Sequence, residues 1–271
     1  MKIFPCAKIN LGLNVVARRT DGYHDLETVF YPIPLCDEIE IKVKDGIGEI
    51  DLLQPDGIAL DCDAEKNLVV RAYRAVSQKY PLPSITVSLT KRIPTQAGLG
   101  GGSSDAAYMI SGLNTLFSLG MSIQEQVEIA SKLGADCAFF IESQPAFATG
   151  IGEQLSPIQL SLEDYHIAIV KPPVSVSTRE AFSKIVPQHP QVCCRDAVKQ
   201  PMEEWKELLS NDFEKSVFAL YPQIEQIKQR LYAEGAVYAQ MSGSGSALFG
   251  IFKQVPNHLQ SVFPDCQVFV K

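Results

Sequence analysis

Four glycines fall within five positions, at Gly98 and Gly100, Gly101 and Gly102, and Ser103, Ser104 and Asp105 follow them directly. Glycine accepts positive φ and lets a backbone approach a ligand closely. From there Ala106, Ile110, Leu113 and Phe117 recur at helical spacing. A glycine turn running straight into a helix presents free N–H groups and the positive end of the helix dipole, an arrangement suited to phosphate. The two serine hydroxyls could cap the helix, bind a phosphate oxygen or ligate Mg²⁺. Asp105, an acid in the first turn, reads as a partner of the dipole before it reads as a metal ligand. No lysine follows the glycines, so this is not the G-x-x-x-x-G-K-[ST] loop. Nor does an acidic residue close a following strand, as a dinucleotide fingerprint requires.

The elements that must hold this loop follow from period and punctuation. Ile85, Val87 and Leu89 alternate with Thr86 and Ser88, a half-buried strand entering the loop from one side. Leu68, Val69, Ala72 and Val76 fit one face of a helix over 67–77. Glu38 to Val43 and Glu49 to Leu53 alternate around an Asp45-Gly46 turn signal, which predicts a hairpin. Asn10 to Val16 reads as a strand. Ser122 and Glu125 form a capping-box pattern opening a helix that Gly134 ends. A change of domain is expected near 152–157, dividing the chain into 1–155, which holds the glycine loop, and 156–271. The later half reads as a strand at 166–170, helices at 202–209, 213–220 and 224–233, and strands at 236–240, 247–252 and 267–270. Strands and helices segregate without regular βαβ alternation, so the expected class is α+β.

Composition narrows the function. The chain has 271 residues, long enough for two modest domains, and 24 basic against 31 acidic residues, a net charge of −7. A nucleic-acid surface would want clustered Lys and Arg, so nucleic acid is not an expected partner. No apolar run has the length of a membrane span, and the first residues lack the apolar core of a signal peptide, so the expected location is cytoplasmic, with no membrane partner. The seven cysteines (6, 36, 62, 137, 193, 194 and 266) show neither C-x-x-C pairs nor zinc spacing and are expected as reduced, often buried thiols, with no metal site of their own. His166, His189 and His258 have no motif around them and read as structural.

Three motifs in order carry a resemblance. Pro94-Thr95-Gln96-Ala97-Gly98-Leu99-Gly100-Gly101-Gly102-Ser103-Ser104-Asp105-Ala106-Ala107 resembles the phosphate loop of the GHMP small-molecule kinases. Ala7-Lys8-Ile9-Asn10-Leu11-Gly12-Leu13 resembles their first motif, and Met241-Ser242-Gly243-Ser244-Gly245-Ser246-Ala247 their third. Within the family, Arg19-Thr20-Asp21-Gly22-Tyr23-His24 followed by Leu26-Glu27-Thr28-Val29-Phe30 is similar to the branch that phosphorylates the 2-hydroxyl of 4-diphosphocytidyl-2-C-methyl-D-erythritol in the non-mevalonate isoprenoid route. Gly134-Ala135-Asp136, residues 148–153 and Asn211-Asp212-Phe213-Glu214 fit the same pattern. The implied fold is a two-domain α+β kinase with its active site in the interdomain cleft. The implied substrates are ATP, with Mg²⁺ held mainly through its phosphates, and the cytidine compound. The chain is expected as a monomer or weak homodimer.

The resemblance assigns roles residue by residue. Asp136 becomes the base for the attacking hydroxyl, and Lys8 a fixed positive charge that orients it and steadies the phosphoryl group. Asn67, Lys91 and Pro94 flank the nucleotide, and Gln96, Ala97, Gly98, Leu99, the three following glycines, Ser103 and Ser104 line its phosphates. Gln96 departs from the small residue often found there. Asn10 and Gly243 would hold the methylerythritol diphosphate region. Tyr23 and His24 match the cytidine-recognition pair, and Phe182 a second stacking aromatic, although Ser177, Arg179 and Glu180 depart from more proline-rich versions of its segment. Two rivals remain: a GHMP kinase acting on mevalonate, homoserine or a sugar, and a non-catalytic nucleotide- or RNA-binding module on the same fold.

Overall fold

The strand Pro83–Thr90 buries Ile85, Val87 and Leu89, as their alternation requires. It occupies the centre of a four-stranded sheet in a computed structural model that describes residues 1–59 and 63–270. Cys62, expected as a reduced thiol, lies outside the described residues. Glu38–Ile47 pairs antiparallel with one side of Pro83–Thr90 and Ile50–Leu53 pairs parallel with the other, with Lys2–Ile3 outside Glu38–Ile47. The predicted hairpin is therefore not formed: both strands exist, but a third lies between them. The first strand runs on through Asp45-Gly46 to Ile47 with a register shift, and Gly46 takes φ +105° against the Ser84 side chain. Pro83–Thr90, which buries more of its residues than either of those two strands, lies between them.

Helices Leu68–Ser77, Gly101–Phe117 and Ile123–Ser131 share a core with this sheet, built on Ile39, Ile41, Val69, Tyr73, Ile110 and Leu113. Asn67 Oδ1 accepts from Val69 N–H at 2.9 Å and starts the first of them. Ser122 Oγ caps the third, accepting from Glu125 N–H at 3.2 Å. The returning half of that capping box is absent, because the Glu125 carboxylate takes the Tyr80 hydroxyl at 3.0 and 3.1 Å and Lys79 at 3.2 Å. A tertiary partner has displaced a local one.

Two compact units interleave along the chain: residues 1–7, 34–95 and 100–144 form the first, and residues 8–33, 96–99 and from 145 onward the second. Within the second unit, one sheet has the order Tyr238–Met241, Leu248–Phe252, His166–Lys171, Gln267–Val270, antiparallel throughout. Another has the order Cys6–Arg18, His24–Cys36, Ala146–Thr149, Gln154–Pro157. Residues 152–157, the expected change of domain, include that last strand, which pairs antiparallel with Ala146–Thr149. Helices Phe213–Leu220 and Pro222–Ala233 pack Phe213, Val217, Ile224 and Leu231 against Val170, Met241, Leu248 and Phe252. The helix expected over 202–209 begins as a 3₁₀ turn, Met202–Glu204, before Trp205–Leu208. Of the six described cysteines, Cys137 and Cys194 are buried and four are half-buried. No helix among the described residues is long and apolar enough to cross a membrane.

Candidate active site

The glycine loop opens a helix of 17 residues, Gly101–Phe117, with Gly100 at its N-cap in the left-handed region at φ +73°. Without a cap side chain, the first N–H groups of this helix have no acceptor from Gly100 itself. Ser104 Oγ and Asp105 Oδ1 are buried and have no hydrogen-bond partner. The first unit also holds Asn67, Lys91, Pro94, Ser103 and Asp136. Asp136 lies on the 3₁₀ turn Ala135–Cys137, directly after Gly134. That turn packs on the start of the glycine-loop helix: Ser103 is hydrogen-bonded to the Cys137 thiol, and a β-carbon on Gly134 would stand 3.3 Å from Cys137 Sγ and 3.9 Å from Ser103 Oγ. Burial first, with the Asp136 charge adding to it and the Ser103 bond opposing it, pushes the Cys137 thiol up to about 11, so it stays protonated and inert at neutral pH. The expected base and the expected phosphate loop are thus neighbours in one unit.

Lys91 is placed differently from a nucleotide ligand in open solvent. It is 2% exposed, with its ammonium between the carboxylates of Asp37 and Asp105. Asn67 spends its carboxamide oxygen on its own helix.

The second unit assembles the remaining candidates around the strand Cys6–Arg18. Lys8 and Asn10 are buried there, with Lys8 Nζ donating to Asn10 Oδ1 at 2.5 Å and lying 5.0 Å from the centre of the Phe30 ring. Asn10 Nδ2 donates to Thr28 Oγ1 at 2.9 Å, and Thr28 Oγ1 donates to the Gly12 carbonyl at 2.5 Å. This relay fixes the Asn10 amide with its oxygen towards the lysine. The middle of the glycine loop docks on the third motif: Ser242 Oγ donates to the Gly98 carbonyl at 2.8 Å, and Ala247 N–H to the Ala97 carbonyl at 3.2 Å. Lys8 N–H donates to the Leu99 carbonyl at 3.0 Å. Gln96, exposed, takes a left-handed φ of +49°, and its carbonyl accepts from Ser246 N–H at 3.4 Å. Gly243 approaches Gly98 so closely that a β-carbon on it would sit 3.2 Å from Gly98 Cα.

Asn211 has a definite task. Its Nδ2 donates at 2.8 Å to the carbonyls of both Met241 and Gly243, and its Oδ1 accepts from Phe213 N–H at 3.0 Å. The next residue, Asp212, accepts from Val15 N–H at 2.7 Å and from Asn14 Nδ2 at 3.4 Å. Burial raises the Asp212 carboxyl, and those two donors partly offset the shift.

The aromatic candidates also meet in the second unit. His24 stacks on Phe182 with ring centres 4.7 Å apart and planes 27° from parallel, and Phe182 meets the edge of Phe213. A base inserted between His24 and Phe182 would need roughly 7 Å, two van der Waals separations. Tyr23, by contrast, is 61% exposed. Its turn is held by Asp21, which accepts Tyr23 N–H at 3.0 Å and pairs with Arg19 at 2.9 Å. Phe182 ends a short helix, Thr178–Phe182, that starts with a complete capping box between Ser177 and Glu180, and Glu180 also accepts from Tyr221 at 2.8 Å. Of the three residues that depart from the family's usual segment here, Ser177 and Glu180 cap this helix. The S-x-x-E spacing is itself a local capping signal.

These features, a glycine loop opening a helix, an aspartate turn beside it and a lysine–asparagine pair beneath a second glycine turn, are those of a small-molecule kinase. The chain belongs to the GHMP kinases: residues 67–144 match the family's N-terminal domain and residues 194–264 its C-terminal one. It is 52% identical over 252 residues to the 4-diphosphocytidyl-2-C-methyl-D-erythritol kinase of Bacteroides fragilis, covering 93% of this chain and 92% of that one. It is 50% identical over 268 residues to the protein of the same name from Parabacteroides distasonis, covering 98% and 97%. A crystal structure of a 4-(cytidine 5'-diphospho)-2C-methyl-D-erythritol kinase superposes with a TM-score of 0.83 at 31% identity, covering all of this chain and 98% of that one.

Proposed function

We propose that the chain transfers the γ-phosphate of ATP to the 2-hydroxyl of 4-diphosphocytidyl-2-C-methyl-D-erythritol, in the cytoplasm, with Asp136 as base and Lys8 as the orienting and charge-stabilising group. The observation that carries this reading is the buried Lys8–Asn10–Thr28 relay beside a glycine turn, together with an exposed aromatic next to a histidine. The relay gives a cation of fixed position where charge develops on the transferring phosphoryl group. Asp136 takes the proton of the attacking hydroxyl, its oxygen bonds to the γ-phosphorus, and the bond to the β-phosphate oxygen breaks, leaving ADP. First-turn N–H groups of Gly101–Phe117 receive the ATP phosphates.

Tyr23 supplies the face on which cytosine stacks, and His24 reads its polar edge. Phe182 steadies the imidazole from behind, a role consistent with the contact between the two rings. Mg²⁺ bound with ATP would neutralise phosphate charge. Phosphate oxygens and water would carry most of the ion's coordination. The buried, unpartnered Ser104 hydroxyl is the oxygen donor that fits at the helix start.

A steady-state assay comparing the cytidine compound with mevalonate tests the substrate; preference for mevalonate overturns it. Asp136→Asn should keep ATP affinity and lose about 10²- to 10⁴-fold in turnover, the usual worth of a general base. Near-parental turnover would remove Asp136 from that role.

A further inference from the structure

Three charged side chains from distant parts of the first unit meet almost out of reach of water. Lys91 Nζ donates to Asp37 Oδ2 and, at 2.6 Å, to Asp105 Oδ2, and the side chains of Lys91, Asp37 and Asp105 are 2%, 0% and 4% exposed. Asp37 is held on its other oxygen, which accepts the N–H groups of Arg92 at 2.5 Å and Ile93 at 2.8 Å. Its own N–H donates to the Pro5 carbonyl at 2.9 Å, and Ile58 N–H donates to the Lys91 carbonyl at 2.9 Å.

Where these residues sit in the chain gives the cluster its meaning. Lys91, Arg92 and Ile93 lead directly into Pro94 and the glycine loop, and Asp105 is in the first turn of the helix that leaves it. Both ends of the loop are therefore tied to one carboxylate, Asp37 directly at the entry and through Lys91 at the exit. The fit is close: a methyl on Gly101 would stand 3.0 Å from Ile93 Cγ2 and 3.3 Å from the Lys91 ammonium.

We propose that Lys91, Asp37 and Asp105 form a buried ionic clamp that sets the spacing of the two ends of the glycine loop, so that Lys91 is a positioning residue for the nucleotide phosphates and not itself a nucleotide ligand. The inference rests on the reading that this loop binds ATP. Burying three charges contributes little net stability, and its better-attested use is to specify one arrangement over others. One cation serves two carboxylates, so charge balance decides whether the arrangement holds. Burial, with the Asp37 charge adding to it and Lys91 opposing, raises the Asp105 carboxyl to about 7. Burial works against the Lys91 ammonium, but Asp105 and Asp37 outweigh it and hold the group above its ordinary value.

The test is ATP binding and steady-state kinetics on full-length variants. Lys91→Met leaves two carboxylates facing each other without their cation, and KM for ATP should rise on the order of 100-fold, the scale of a broken buried pair, with kcat at saturating ATP changing far less. Adding Asp105→Asn to Lys91→Met removes the second carboxylate and should recover roughly tenfold of that loss. If Lys91 touched ATP directly, the double variant would bind as weakly as Lys91→Met, and that result overturns the clamp. Should Lys91→Met not fold, Asp105→Ala and Asp105→Asn decide the matter. The alanine should raise KM for ATP about tenfold, while the asparagine, which can still accept from Lys91, restores it; equal effects of the two overturn the proposal. A parent protein that fails to bind ATP would instead remove the underlying reading of the loop, and the clamp with it.

Discussion

Gly98→Ala probes the loop at its tightest point. Gly98 has φ +73°, and a β-carbon there would lie 2.0 Å from the Ser242 carbonyl oxygen and 2.8 Å from its carbon. The obstacle is backbone and cannot rotate aside, so the loop and the third motif must part by more than about 1 Å to reach van der Waals distance. Parting them also breaks the 2.8 Å bond from Ser242 Oγ to the Gly98 carbonyl. The left-handed backbone costs about 1–2 kcal/mol for a residue with a side chain, and the lost hydrogen bond about 1 kcal/mol more. A displacement of 1 Å near a reacting centre costs about 100-fold in rate. Gly120→Ala separates these contributions: Gly120 has φ +71° with open space where the methyl would go. It should lose the same 1–2 kcal/mol of stability with unchanged turnover. Urea unfolding and kcat/KM with ATP and the cytidine substrate, measured on both variants, give the answer. Gly98→Ala within threefold of the parent, or Gly120→Ala equally inactive, would refute the reasoning.

Asn211→Ala strips the Met241 and Gly243 carbonyls and the Phe213 N–H of their partner in a site 3% exposed. It should destabilise the protein by about 2–4 kcal/mol in chemical denaturation, with Asn211→Asp, which cannot serve two carbonyls, no better. Asp105 should leave a signature in the pH dependence of stability. Lys91, on the strand side, and Asp37, before Glu38–Ile47, are the charged groups that face it, and its folded value of about 7 exceeds its unfolded one. The folded protein therefore binds the extra proton more tightly; this contribution is fully present below pH 4 and is lost as pH rises through 7. Asp105→Asn should flatten the fall in stability over that window, measured as the denaturation midpoint against pH; an unchanged profile would count against the raised carboxyl.

What could be read from the amino acids was what chain-local physics decides. The glycine loop opens its helix where period and punctuation put it, and Asn67 begins its helix. The α+β class held as well, because the segregation of strands and helices is itself a property of the order of elements. What escaped was decided by partners far away in sequence. The Glu38 and Ile50 strands do not form a hairpin because Pro83–Thr90, 30 residues further on, comes between them. Glu125 abandons its capping box for Tyr80. The burial of Lys91 between two aspartates lying 54 and 14 residues away is a feature no local pattern reports. The Ser177–Glu180 capping box, by contrast, is local and legible in the amino acids.

The interleaving of the two compact units bears on how the chain can be made. Neither unit is a contiguous stretch, and the backbone passes between them at 7/8, 33/34, 95/96, 99/100 and 144/145. On the ribosome, the first unit cannot close until residue 144 has emerged. The strand carrying Lys8 and Asn10 must wait for the chain beyond Pro145 before its own unit is complete. A gene cut at 144/145 would keep every residue of the first unit in one piece but separate residues 8–33 and 96–99 from the rest of the second.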